Sequence, residues 1–298
     1  MELTIVNPEP KYADVELVEP ATLGYLHVAA EVRPRRLPFL QRLPAGREKS
    51  ELIGRLKELA RRLEQQEAVE KVTVFDAVVI PPARFGYLKE RADSIQVARF
   101  DLVVLIETTS IATIEDVRST EPYRALLDVL RQHAKRLHVM AARNARRIGD
   151  VDKTRDGLFL FNYFVAADAR VMLELWDYLA GWYAGETGLD NSTLLVPLDG
   201  EHSDYLAINH ARWDESLPRF LWQQFSKRTF RTYMLANLEA NRVGAMPALY
   251  RLAGGSGQAA SPPRRRLLAA SVLGVGAGIA LARRRRAGKL ATSAHRRS

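Results

Sequence analysis

The 298-residue chain contains no cysteine. That absence excludes a disulfide framework, a Cys-ligated zinc site, a thiolate nucleophile and a Cys-ligated iron–sulfur cluster. Common catalytic signatures are missing too. There is no GxSxG nucleophile elbow, no GxxxxGK phosphate loop, no HExxH, and no GxGxxG joining a strand to a helix. The glycines of GVGAG near the C-terminus are embedded in an apolar run and do not form a dinucleotide loop. The opening MELTIVNPEP has neither a basic region nor an apolar run of roughly 7 to 15 residues, so no cleaved signal peptide is expected and the body is expected in the cytosol.

Positive charge is abundant only in one place. The formal net charge is +9, yet Arg264 to Ser298 holds nine arginines, one lysine and no acid, which leaves the preceding residues at −1. Nucleic-acid affinity rests mainly on a phosphate-neutralising field. A near-neutral body lacks one, so nucleic acid is not an expected partner.

Periodicity divides the body into two passes of one pattern. Residues 1–22 read as an N-terminal arm. Alternation then predicts strands at Leu23 to Val32, Val69 to Ile80, Val97 to Thr108 and Arg136 to Arg143. Between the first two, Leu52, Leu56, Leu59 and Leu63 recur at helical spacing behind Ser50, a candidate cap. Thr120 can cap a second helix, with Pro122 in its first turn. The segment 143–156 reads as a charged linker in which Arg143, Arg146, Arg147 and Lys153 could hold an anion, with a solvated linker favoured over that reading. The order then repeats: GLFLFNYFVAAD, a helix capped by Asp168, NSTLLVPL, SDYLAINHARW, a long helix from Pro218 and GAMPALYRL. Residues 23–147 and 156–252 are the two predicted units. The α+β fold class expected is two tandem ferredoxin-like βαββαβ units whose antiparallel sheets pack face to face, since helices cover only one face of each sheet.

This order resembles the dimeric α+β barrel superfamily. Chlorite dismutases and dye-decolourising peroxidases are similar single-chain members, and antibiotic-biosynthesis monooxygenases are the one-unit version. The likeness spans roughly Leu23 to Leu252 and rests on element order. It implies a monooxygenase or haem-associated oxidoreductase. Haem-degrading members use an Asn on a first strand, a Trp and a His ligand, and Asn162, Trp213 and His210 have those residue types. The order departs from theirs, because His210 precedes Trp213 on a strand, and the GxxDG motif of the peroxidase branch is absent. Haem is therefore a minority expectation, and no metal ligand set is assigned.

Between Gly157 and Tyr250 lie 16 of the chain's 24 aromatic residues. They are weighed as a pocket for an apolar or aromatic small molecule against a plain core, and the core is favoured. Asn162, Tyr163, Trp176, Trp182 and Trp213 are the candidate pocket residues. His210 and Arg212 end one face of their predicted strand, where a histidine can bind metal or move a proton. Setting Asp101 against Asp204 places Glu107 opposite His210, so Glu107, His210 and Arg212 form the candidate catalytic set.

Residues 253–263 read as a Gly/Ser/Pro linker, and 264–298 as a separate tail. Its apolar run, Leu267 to Ala282, has 16 residues flanked by arginines. As a helix it spans about 24 Å, short for a hydrocarbon core of about 30 Å unless the arginines snorkel. Ala270, Gly274, Gly278 and Ala282 recur every four positions, a small-residue face suited to self-association. The sequence thus predicts a membrane-tethered small-molecule protein with lipid as a partner and a homo-oligomer as an option. The alternative is a non-catalytic membrane-associated scaffold.

Overall fold

The computed structural model describes residues 1–32, 39–40, 46–83 and 85–254. In chain order the elements are β1 (Gly24–Glu31), β2 (Phe39–Leu40), α1 (Arg47–Glu64), β3 (Val69–Ile80), α2 (Gly86–Glu90), β4 (Leu102–Thr108), α3 (Ile114–Ser119), α4 (Glu121–His133) and β5 (Arg136–Gly149). They continue with β6 (Leu158–Ala166), α5 (Ala169–Thr187), β7 (Ser192–Pro197), β8 (Ala207–Trp213), α6 (Leu217–Ser226), α7 (Ala236–Ala240) and β9 (Val243–Leu252).

The strands follow the order β3-β4-β1-β5-β7-β8-β6-β9, and β9 returns to β3. The result is a closed antiparallel barrel with helices outside. This corrects the expectation of two sheets that merely face each other. Each four-stranded sheet alone would leave two rows of unpaired backbone groups. Here β5 runs on to Gly149 and pairs with β7, while Phe75 to Val79 of β3 pairs with β9, so both seams are hydrogen-bonded. The segment expected to be a linker from Arg143 is thus strand as far as Gly149.

Strand alternation sorts side chains into an interior and a helix-covered exterior. Tyr25 and Ala29 of β1 pack inward with Phe75, Phe159, Phe161, Tyr163 and Tyr250, while Leu26, Val28 and Ala30 pack outward against Leu52, Leu56, Leu126 and Leu130. The local signals act as expected at two caps. Thr120 accepts from the Tyr123 N–H at 3.4 Å, and Asp168 accepts from Arg170 and Val171 at 2.9 and 3.2 Å. Helix α1 starts earlier than Ser50, after Gly46. The helix expected from Pro218 onward is broken, because Lys227 is extended and a π-helical turn, Phe230–Leu235, precedes α7.

The N-terminal arm crosses the helices of the second half. The Thr4 and Val6 N–H groups donate to the Asn241 and Asn237 side chains at 2.8 and 2.7 Å. Tyr12 meets Tyr233 edge-on at 5.0 Å. Among the described residues no helix is long and apolar enough to cross a membrane. Residues 264–298, with Ala270, Gly274, Gly278 and Ala282, lie outside the described residues.

Candidate functional site

One rim of the barrel gathers charge. The register sets Tyr25 opposite Glu107 and Glu107 opposite Lys71, so three neighbouring strands present a Tyr–Glu–Lys row. Directly opposed residues on an antiparallel pair lie about 4.5 to 5.5 Å apart. On the other side Thr193 of β7 is opposite both Arg147 and His210. The segment after β5 folds over this rim and carries Lys153 inward. Its Nζ lies 3.2 Å from Glu107 Oε1 and donates to the Val151 carbonyl at 3.0 Å. Tyr25, Lys71, Glu107, Arg147, Lys153 and Thr193 line a cavity of about 580 Å³ that opens to solvent.

Electrostatics separate the rim from the interior. Burial raises the Tyr25 hydroxyl, and the Glu107 charge beside it raises it further, so Tyr25 is a neutral hydrogen-bond donor at neutral pH. One layer below, His210 is 1% exposed and stacks on Phe161 at 4.3 Å. Its Nδ1 sits 3.1 Å from the Leu160 carbonyl and must donate to it, which leaves Nε2 as the acceptor nitrogen, with no partner in the described residues. Burial, then the Lys153 charge, lowers its pKa to about 3.

Two further histidines occupy the same interior. The Tyr163 hydroxyl lies 3.4 Å from His27 Nε2, and the His138 ring is 5.8 Å from that of His27. Burial holds His27 well below its usual range, aided by His138 and His210, and lowers His138 to about 4. All three are neutral at pH 7.

The residues singled out from sequence divide between these environments. Glu107 is at the cavity, but its partner is Lys153 and not His210. Tyr163 and His210 lie in the packed interior beneath it. Arg212 is inward and buried, donating to the Asp156 carbonyl at 2.8 Å and pairing with Asp214, with its guanidinium 5.8 Å from the Phe159 ring centre. Gly157 is required there, since a Cβ would meet Arg212 Nε at 2.5 Å. Asn162, Trp176, Trp182 and Trp213 are on the other side of the wall, under the helices. Trp182 and Trp213 donate to the Thr229 and Thr187 hydroxyls, both at 3.1 Å. The structure therefore does not bring the tryptophans together with His210.

Sequence reading missed Tyr25, Lys71, Thr193, His27 and His138. Charged Lys71 and Glu107 at inward positions of otherwise apolar strands were the available signal. Lys153 had been noticed, but as part of a solvated linker.

No family model matches the chain, and no curated protein matches it. Solved structures do resemble it. An anthrone oxidase-like protein aligns over 84% of this chain and 94% of its own, with 15% identity and a TM-score of 0.51. The chain has the dimeric α+β barrel fold. A candidate monooxygenase from Fusobacterium nucleatum aligns over 78% of this chain and 92% of its own at 8% identity, TM-score 0.47. A chlorite dismutase variant from Candidatus Nitrospira defluvii aligns over the same shares at 9% identity, TM-score 0.41.

Within this α+β barrel, a histidine-ligated haem does not fit the residues described. Haem needs an axial ligand facing a wide slot. No histidine lines the cavity, and the three inside the barrel are enclosed by Phe75, Phe100, Phe161, Tyr163 and Tyr205. Nor does any group of three or more His, Asp or Glu side chains among the described residues have an arrangement that could hold a metal ion.

Proposed function

We propose that this chain is a monooxygenase-type oxidoreductase that acts on a small, enolisable organic molecule at the charged barrel rim. The observation that carries the reading is the Lys153–Glu107 pair at 3.2 Å in the wall of an open cavity. A carboxylate next to an ammonium suits an enolisable carbon. Glu107 removes a proton, Lys153 and the Tyr25 hydroxyl hold the oxyanion that forms, and dioxygen takes up the electrons. The balance is a methylene plus O2 giving a carbonyl plus water, with one oxygen atom in each product.

Anthrone is the probe suggested by the anthrone oxidase-like neighbour. Oxygen uptake and anthraquinone formation are expected with the purified chain, falling on the order of 100-fold or more in Glu107→Gln. Turnover equal in that variant, or no oxygen uptake with anthrone, defeats the assignment. The repeated strand order supports reading 23–147 and 156–252 as tandem ferredoxin-like units, a dimer contained in one chain.

The tether belongs to the same proposal. Residues 264–298 would hold a cytoplasmic body at the membrane through their arginines and apolar run, with the small-residue stripe allowing self-association. Membrane fractionation of the full chain beside residues 1–255 tests it; equal partition of the two sinks it.

The scaffold reading is favoured by one observation. Phe161 contacts His27, Phe75, His210 and Tyr250, and all five are fully buried, so the aromatic second half is packed core. A chain that binds membranes and no small molecule at the rim would be that scaffold.

A further inference from the structure

Helix α6 carries an apolar face that nothing in the described residues covers. Phe220 and Gln224 are buried, and Leu217 and Leu221 pack with Phe220 against the barrel. Pro218, Trp222 and Phe225 recur at the complementary helical spacing; Trp222 points away, and Phe225 meets Phe230 edge-on at 5.2 Å while leaving about half of its surface exposed. Trp222 is 68% exposed and Phe225 46%, whereas Trp176, Trp182 and Trp213 are 8%, 0% and 4% exposed. Single exposed apolar residues are ordinary, but two large rings side by side are not.

Charge says what covers them. Residues 217–232 contain Arg219, Lys227, Arg228 and Arg231 and no acid, in a body that is otherwise near neutral. Arg219 and Lys227 pair with Glu215 and Glu186. Arg228 and Arg231 are exposed and make no ion pair among the described residues. Aromatic rings flanked by cations are the pattern of an interfacial helix, with rings at headgroup depth and arginines drawn to anionic lipid.

We infer that α6 and the following turn form the face of the body that docks on an anionic bilayer, with Trp222 and Phe225 inserted. This deepens the tether reading by naming the docking face, and it has its own readout. Trp222 is the one exposed tryptophan of four, so acrylamide quenching of the full chain reports chiefly on it.

The full chain is mixed with vesicles of phosphatidylcholine, alone or with phosphatidylserine. Phosphatidylserine vesicles are expected to blue-shift the emission and cut quenching several-fold, and Trp222→Phe to remove the responsive signal. Arg228→Glu with Arg231→Glu should raise the lipid needed for half-protection about tenfold or more. Protection unaffected by that charge reversal overturns the inference. So does a chain that co-sediments with vesicles while Trp222 stays quenchable, a result that leaves the tail tether standing. A chain that neither co-sediments nor is protected defeats both readings. Protection that needs no vesicles and rises with protein concentration marks a self-association face and overturns the bilayer assignment.

Discussion

In the first half of the barrel the inward positions of β1, β3 and β4 include Tyr25, Ala29, Lys71, Val103, Leu105 and Glu107, whereas β6 and β9 of the second half send in Phe159, Phe161, Tyr163, Met246 and Tyr250. Rings from both halves meet there, Phe75 of β3 packing against Phe159 and Phe161, and the small and branched residues of the first half make room for the larger share of rings from the second. Interiors pack to crystal-like density, so this division of volume leaves the centre closed. At the rim the strands end in charge, with Glu107 and Lys153 paired in the wall of the open cavity. The rings thus supply stability, and the rim supplies chemistry.

The strongest challenge to that division is acid. His27, His138 and His210 have pKa values lowered in the fold, the last two to about 4 and about 3. Above pH 6.5 they are neutral both folded and unfolded, and their contribution is fully present. As pH falls below 6.5 the unfolded chain takes up protons that the folded core refuses, so stability is lost down to the folded values. Each histidine should cost about 2 kcal/mol by pH 5, about 6 kcal/mol together. Urea midpoints followed from pH 7.5 (about neutral) to about 5 test this, and a flat profile would break the picture of a dry core.

Next in size is a cavity in the ring cluster. Phe161→Ala removes a ring that touches four others and should destabilise by about 3 to 5 kcal/mol in equilibrium unfolding. A loss under about 1 kcal/mol would mean the interior can collapse or is already wet.

Changes at the rim should do the reverse, sparing the fold and removing activity. Lys153→Met leaves the Glu107 carboxylate without its cation, but the cavity hydrates it, so the expected loss is about 1 to 2 kcal/mol, less than for a fully enclosed pair. Adding Glu107→Gln should recover most of that, a coupling that a double-mutant cycle measures. The smallest effect is expected at Lys71, which borders the cavity without an ion pair among the described residues. Lys71→Met should change stability by no more than about 0.5 kcal/mol while slowing oxygen uptake with anthrone. If Lys71→Met instead unfolds the chain, rim and core are not separate.

Helices and strands were legible because their signals are local. Leu52, Leu56, Leu59 and Leu63 share a helix face whatever they pack against, and Thr120 and Asp168 cap by reaching two or three residues along. The end of β5 was not. Arg143 to Gly149 is charged and reads as linker, but pairing with β7 makes it strand, and Arg146 lies against Asp177 with Nε to carboxylate distances of 3.0 and 3.1 Å. The continuous helix expected after Pro218 failed for a related reason: the break at Lys227 lets Phe220 face the barrel wall while Phe230 packs with Trp182.

The candidate site was half legible. Aligning the two halves picks out Glu107, although its partner is Lys153 and not His210, and His210 and Tyr163 fall on the inward face that alternation assigns. Alternation also puts His210 and Trp213 on opposite faces of their strand, so the resemblance to haem-degrading members matches their residue types but not their placement.

By itself the sequence determined the element types, the confinement of net positive charge to the last 35 residues, the absence of thiol chemistry and the two-pass order of strands, because each depends on neighbours along the chain or on composition. Only the tertiary structure decided that the sheets close into a barrel, that Lys153 and not His210 meets Glu107, and that Trp222 and Phe225 face outward. Those outcomes depend on which edges and faces meet across the fold, and distances along the chain carry no record of that.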